Sequence, residues 1–384
     1  MRPAPPLAGI LVISLAEQYP GPFATMVLAD LGADVVLVER PGSGDPTRAY
    51  PGFFDSMARG KRSVVLDLKT DGGRSVLWDL LETADVLVEG FRPGTMERLG
   101  FSPASVGDRY PRLLYISISG YGQTGPNRLR SGHDLTYQAE AGVLYEHVPP
   151  APPPPPPSLA LGDLSAAMFA VQGVLAGLLR RERTGLGGHI DVAMVDCLST
   201  LLAAHVGPVT NGTGPPGFPY EPGYGVFVTA DGVHLALGVA HEDHFWRALC
   251  DVTGLGGERD LGAAARFAEH GRLRRQLATA IARHTAPHWE HVLGAADVPY
   301  GRVRRLQDLP LTAQSVARET FTAQDGPTSA VHVRQPLVFD GVAPGPRRGV
   351  PALGEHATEV LRECGAAGDV TAGSAPDVRV DTQT

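Results

Sequence analysis

From Gly9 to Ser119 the chain alternates short apolar runs with stretches of helical spacing, and few architectures accommodate that order. Gly9 to Leu15 (GILVISL) reads as a buried strand. After the Pro20-Gly21-Pro22 break, Phe23 to Leu31 has helical spacing, and Gly32 ends it before the strand Asp34 to Glu39. The series continues with a strand at Ser63 to Leu68, a helix at Gly72 to Glu82 and a strand at Ala84 to Glu89. A short helix at Gly94 to Leu99 and a strand at Leu113 to Ser119 complete it. Strands separated by helices pair in parallel through right-handed crossovers, so a doubly wound α/β sheet is expected. No GxGxxG follows the first strand, which leaves a dinucleotide fingerprint unsupported.

Past this region the pattern changes. Pro149 to Pro157 is a proline run that must be extended and solvated, a stiff surface loop. The long apolar stretch from Leu161 is stopped by the charges and glycines of Arg180 to Gly188. His189 to Val195 opens a segment read as helical through Ala204. Gly207 to Gly225 is a glycine- and proline-rich connection, followed by a hairpin, Gly225 to Thr229 and Val233 to Val239, turning at Asp231-Gly232. Helices are expected at Glu242 to Cys250, Arg272 to His284 and Pro287 to Ala295. The resulting division is a large domain over 1–205 rejoined by 330–364, a linker at 206–225, a small α+β domain at 226–329, and a mobile tail at 365–384.

Charge and cysteine use narrow the function. A formal charge of −8 speaks against a general nucleic-acid binder but leaves room for a local basic patch. Three widely spaced cysteines without CxxC fit reduced thiols. The N-terminus is too proline-rich for a secretory signal, and the most apolar window, Leu159 to Leu179, carries Asp163 and Gln172 as a core helix would. A soluble cytoplasmic protein is expected. His241, His244, His284, His288 and His291 match no metal-ligand spacing, so no metal is expected.

Two groups able to move a proton flank the proline run. His133 lies in GHDLTYQAEAG and Asp163 in LGDLSAAMFAVQG. An imidazole titrates at about 6.5 and an aspartate at about 3.9, and burial moves both toward neutrality. A carboxylate heading an apolar helix also sits where the helix N-terminus holds negative charge. The ordinary roles, a helix N-cap for Asp163 and a structural polar group for His133, fit the same spacing. Basic residues gather where strands end: Arg40, the Arg59 to Arg62 run (RGKR), and Arg92 in FRPG. At loops of an open sheet they suit a phosphate-bearing ligand, or are solvated surface charge.

Together, PGPFATMVLADLGADVVLVERPGSGD, MARGKRSVVLDLK, EGFRPGTMERLGF, SISGYGQTGP, GHDLTY, GDLSAAMFA and RERTGLGGHIDVAM, in this order, resemble the class III CoA-transferase (CaiB/BaiF) family, closest to its α-methylacyl-CoA racemase branch. The resemblance spans about Leu7 to Glu363. It implies a Rossmann-like large domain with a small domain in an interlinked homodimer, and coenzyme A as the ligand, carried by the acyl-CoA substrate, with no metal and no redox cofactor. It places Arg40, Met57, Ala58, Arg59, Gly60, Lys61 and Arg92 on the CoA nucleotide, and Gly132, Asp134 and Tyr137 along the thioester. In the racemase branch, His133 and Asp163 exchange the Cα proton of a 2-methylacyl-CoA, with Glu242, or alternatively His241, supporting His133. In the transferase branch, Asp163 is instead a nucleophile that carries CoA between carboxylic acids. The absence of a GGGG run near Gly225 to Gly238 favours the racemase, and the Leu-Ser-Ala-Ala after Asp163 is common among transferases. The expectation is racemisation, with transfer as the alternative and a non-catalytic CoA-binding protein as the third possibility.

Overall fold

A computed structural model describes residues 4–144, 156–213, 221–324 and 330–366. The chain forms two compact units, Met1–Leu202 with Glu319–Thr384, and Ala203–Arg318. The large unit therefore regains the chain at Glu319, earlier than the expected 330. The expected tail from 367 and most of the proline run lie outside the described residues.

The large unit is built on six parallel strands: β1 (Leu11–Ser14), β2 (Asp34–Glu39), β3 (Arg62–Val65), β4 (Val86–Glu89), β5 (Leu114–Ser119) and β6 (Gly188–Ala193), in the order β3-β2-β1-β4-β5-β6. The chain runs outward from β1 to β3, then returns to lay β4 on the other side of β1. Alternate side chains face opposite layers, the period of two expected of a strand. Val12, Val35, Val86 and Ile116 face a layer with α1 (Pro20–Asp30), α7 (Leu161–Thr184) and α8 (Met194–Leu201). Ile13, Val36, Leu87 and Tyr115 face α3 (Asp71–Thr83) and α5 (Pro103–Arg109). With both faces covered, the central strands read as unbroken apolar runs. Short helices α2 (Pro51–Ala58), α4 (Thr95–Arg98) and α6 (Asp134–Glu140) lie in the connections.

Among the described helices, α7 has the length and composition of a membrane span, but Ala166, Ala167, Ala170 and Val174 are buried in the large unit's core. Small residues let it lie close to the sheet, since a Cβ at Gly177 would come 2.8 Å from the Leu114 side chain. Its C-terminus is Gly185 at φ +75°, a conformation glycine adopts freely.

One sequence expectation is overturned here. His189 to Ala193 is not helical but is the edge strand β6, paired with β5 from Leu114↔Gly188 to Ser119↔Ala193. Ile190 and Val192 alternate with His189 and Asp191, and this period of two decides the conformation until Met194 starts α8.

The return segment supplies β10 (Phe321–Gln324), β11 (Ala330–Val333) and α15 (Ala357–Glu363). Arg62, first residue of β3, is buried and holds Asp34 at 2.5 Å, Glu363 at 2.6 Å and Glu359 at 3.3 Å. Its guanidinium belongs to a clasp between β2, β3 and α15 rather than to a loop cluster.

The second unit has its own core. β7 (Tyr224–Val228), β8 (His234–Gly238) and β9 (Tyr300–Arg302) form an antiparallel sheet, with Gly232 at φ +75° in the hairpin turn. Helices α9 (Ala203–Thr210), α10 (Asp243–Thr253), α11 (Ala263–Ala268), α12 (His270–Ile281), α13 (Ala286–Ala295) and α14 (Ala313–Ala317) complete it. Trp246, Leu249, Leu273, Leu277 and Trp289 pack against Phe227 and Leu235. The expected connection from Gly207 begins as helix: α9 runs to Thr210 because Pro208 withholds only its own N–H, while its carbonyl accepts from Thr213 at 2.9 Å.

Candidate active site

The strand order reverses between β1 and β4, and ligands of open α/β sheets sit in the crevice outside the carboxyl ends at such a point. A cavity of about 440 Å³ lies there, lined by residues that follow β1 (Glu17 to Gly21), β4 (Gly90 to Pro93) and β5 (Gly120, Tyr121). His133, Asp134, Tyr137 and Asp163 close its other side.

Each wall has a local cause. The turn from β1 into α1 is tight: a Cβ on Gly21 would come 2.1 Å from that of Ala16. Beyond β5, Gly120 makes room for Tyr137, since a Cβ there would come 2.4 Å from the ring. Gly132 does the same from the opposite side, at 2.5 Å. Tyr137 is thereby wedged between two glycines, edge-on to Tyr121. His133 is the exposed N-cap of α6, its N–H donating to Thr136 Oγ1 at 3.0 Å.

Asp163 is the third residue of α7, not its N-cap. The capping oxygen comes from α6. Asp134 Oδ1 accepts the Gly162 N–H at 2.7 Å and the Asp163 N–H at 3.3 Å, and Asp134 Oδ2 accepts from Gln138 at 2.5 Å. Freed from capping, the Asp163 carboxyl lines the cavity. Burial, and then the Asp134 charge, push its pKa up to about 7. Such a carboxyl is half ionised at neutral pH, basic enough to take a proton and nucleophilic when charged.

The cavity lining also includes three arginines. Arg92 donates to Ser131 Oγ at 2.7 Å, Arg130 pairs with Glu140 at 2.7 Å, and Arg128 lies between them in sequence. Arg40 is at the rim, half exposed, 3.8 Å from the cavity residue Glu17. A phosphate-bearing thioester fits a crevice with this charge and two helix N-termini.

Of the sequence-predicted residues, His133, Asp163, Arg92, Gly132, Asp134 and Tyr137 share the cavity. The Met57 to Lys61 segment does not line it. Met57 and Ala58 are buried, Arg59 is paired with Asp30 at 2.8 Å, and the Gly60 N–H donates to the return segment. The Lys61 ammonium is buried, donating to Pro22 O and Thr25 Oγ1 at 2.8 Å, and burial pushes its pKa down to about 7. An ion pair and an interior hydrogen-bond pair hold these two cations away from solvent. Glu242 belongs to the second unit, as N-cap of α10, with His241 Nδ1 3.9 Å from its carboxylate. Sequence reasoning passed over Tyr19, Tyr121, Arg128 and Arg130. The available signals were the SGYG turn after β5 and the NRLRSG stretch leading into GHD. Among the described residues, no cluster of three or more His, Cys, Asp or Glu could hold a metal ion.

Residues 7–357 match the model of CoA-transferase family III. The chain belongs to that family. An acetyl-CoA:oxalate CoA-transferase of Acetobacter aceti is 35% identical, over 94% of this chain and 96% of its own. A succinate–glutarate CoA-transferase of Agrobacterium fabrum is 34% identical over the same shares, 94% and 96%. The crystal structure of a CAIB/BAIF family protein from Brucella suis superposes with a TM-score of 0.82 at 29% identity, covering 94% of this chain and 99% of that one. As a member of CoA-transferase family III the chain is an enzyme of CoA substrates, and the cavity at the β1–β4 reversal is its candidate active site.

Proposed function

We propose that the enzyme transfers CoA between two carboxylic acids, with Asp163 as the group that carries it. The observation behind this reading is Asp163 lining the cavity, released from capping by Asp134, in a crevice that also holds Arg92, Arg128 and Arg130. The similar transferases named above weigh the choice toward transfer and against the racemisation expected from sequence. Ionised Asp163 attacks the thioester carbon of an acyl-CoA and the C–S bond breaks, giving a mixed anhydride and CoA thiolate. The thiolate then attacks the Asp163 acyl carbon, expelling the donor acid as carboxylate and leaving an aspartyl thioester. An acceptor carboxylate repeats the two steps in reverse order and regenerates free Asp163. No proton, water or oxidant is consumed.

Hydroxylamine added after an acyl-CoA is predicted to convert Asp163 to its hydroxamate, seen by peptide mass spectrometry. An unmodified Asp163 across acetyl-, succinyl- and glutaryl-CoA would sink the reading.

His133 on the same cavity favours one second reading, proton exchange at the thioester Cα between His133 and Asp163. Deuterium incorporation from D2O into a 2-methylacyl-CoA, without any acceptor acid, separates it from transfer. A homodimer is part of the same proposal, and sedimentation tests it.

A further inference from the structure

Tyr19 lies on the cavity wall at the point where β1 turns into α1. The turn that places it is strained: Gln18 has φ +70°, a region a non-glycine residue seldom enters. A buried network holds it there. Asp45 accepts the Gln18 N–H at 3.2 Å and the Thr47 N–H at 2.8 Å, while the Asp45 N–H donates to Glu39 at 3.0 Å. Glu39 is fixed by Arg48 at 2.7 Å. The Tyr19 ring is held edge-on between Phe53, centroid 5.0 Å away, and Phe23 at 6.3 Å. The phenol is thus fixed at its backbone and along its ring before any substrate arrives.

Three tyrosines line the cavity, and their surroundings differ. Tyr137 is wedged between Gly120 and Gly132, and Tyr121 carries Arg130 over its ring at 5.6 Å. The Asp163 charge reaches both Tyr137 and Tyr19, but on Tyr137 it comes after Tyr121, whereas on Tyr19 it is the leading charge. Burial raises the Tyr19 pKa, then the Asp163 charge, then that of Asp134, so its hydroxyl stays protonated in the cavity it shares with the group that attacks. A protonated phenol that is already oriented is the kind of donor that stabilises an oxyanion.

We infer that the Tyr19 hydroxyl donates a hydrogen bond to the thioester oxygen as negative charge develops on it, making Tyr19 a catalytic residue. The inference rests on the reading that the thioester reacts beside Asp163. When the Asp163 oxygen bonds to the thioester carbon, the C=O π pair moves onto oxygen. The Tyr19 O–H shortens its hydrogen bond to that oxygen without giving up the proton, and the bond relaxes when the pair returns and CoA thiolate leaves. In proton exchange at Cα the charge develops on the same oxygen, as an enolate.

The test compares the intact enzyme with Tyr19→Phe, which keeps both ring contacts and loses only the hydroxyl. Single-turnover acylation of Asp163 by acetyl-, succinyl- and glutaryl-CoA is followed by hydroxylamine trapping, and CoA affinity by calorimetry. Acylation is expected to slow by about a hundredfold, the scale of losing one oxyanion donor, with the CoA dissociation constant and the melting temperature unchanged. Acylation at the parent rate would overturn the inference, and so would a parallel loss of CoA affinity, which marks a packing role. If the intact enzyme traps no acyl group but exchanges the Cα proton, the transfer reading fails alone, and the same variant is expected to slow exchange by about a hundredfold. If it does neither, the inference falls together with that reading.

Discussion

The Asp134 carboxylate, on the first residue of α6, accepts the backbone N–H of Asp163 at 3.3 Å in the first turn of α7. The same oxygen accepts from Gly162 at 2.7 Å, and a Cβ at position 162 would come 2.9 Å from it, so glycine is required for the approach. One carboxylate therefore caps the helix while the other, beside it, is left to react. Proximity of like charges raises the second group's pKa, and the helix N-terminus moderates the cost of placing both there.

Replacing Asp134 by Asn keeps an oxygen for the cap and removes the charge. The Asp163 pKa is predicted to fall, carrying the acid limb of kcat/KM to lower pH. Stability should change by no more than about 1 kcal/mol, against about 1–2 kcal/mol lost in Asp134→Ala, where the cap is gone. A kcat/KM profile unmoved in Asp134→Asn would show that its charge does not reach Asp163.

The pH profile also separates the two reactions. A nucleophilic Asp163 acts ionised, so kcat/KM for CoA transfer should rise with pH through about 7 and then level off. Proton exchange between two groups needs one protonated and one free, which gives a bell. Initial rates between pH 5 and 9 at saturating acceptor distinguish a plateau from a bell.

Stability should respond to the same carboxyl. The folded state keeps the Asp163 proton up to about 7, whereas the unfolded chain releases it near the ordinary aspartate value of 3.8. Between those limits the folded state binds more protons, so this contribution is fully present at low pH and fades as pH rises through about 7. Asp163→Asn, which removes the charge, is predicted to stabilise the protein at pH 8 by ~2 kcal/mol, and by less at pH 5. Urea melts at the two pH values check this. An equal gain at both would assign the effect to packing rather than titration.

Gly120→Ala tests the wedge around Tyr137. Its Cβ would come 2.4 Å from the ring and 2.5 Å from the hydroxyl, so the ring must leave its slot. A loss of about 1–3 kcal/mol is expected, together with a raised KM for acyl-CoA as the cavity wall shifts. Gly107→Ala, in α5 where a Cβ meets nothing within 4 Å, should be neutral or stabilising by up to about 1 kcal/mol. Thermal melts should fall for Gly120→Ala and hold or rise for Gly107→Ala.

Much of the large unit was legible from sequence because its determinants are local. The β1, β2, β4 and β5 runs are short, apolar and punctuated by glycine or proline, and a parallel sheet covered on both faces produces that signature. His133 and Asp163 were marked as candidates because their residue types carry chemistry wherever they lie, and Asp134 and Tyr137 because the GHDLTY segment resembles the family's motif. β6 was misread because an edge strand with polar residues on one face and a helix directly after it has little apolar run to announce it. Arg59 and Lys61 looked like ligands for phosphate because a basic cluster at a strand end reads the same whether its side chains point outward or inward.

The sequence alone determined the alternation of strands and helices, the positions where the chain must break, and the residue types available for acid–base or nucleophilic work. Tertiary structure decided which of those residues meet. Asp134 became the cap of a helix whose first residues lie well beyond it in sequence. The buried Arg59 and Arg62 guanidinium groups came to pair with Asp30 and Asp34, and Tyr19 came to share a cavity with Asp163. The physical reason is that backbone propensity and apolar period act over a few residues. A capping bond, a buried charge pair and a raised carboxyl pKa depend instead on distances that only the order of strands in the sheet creates.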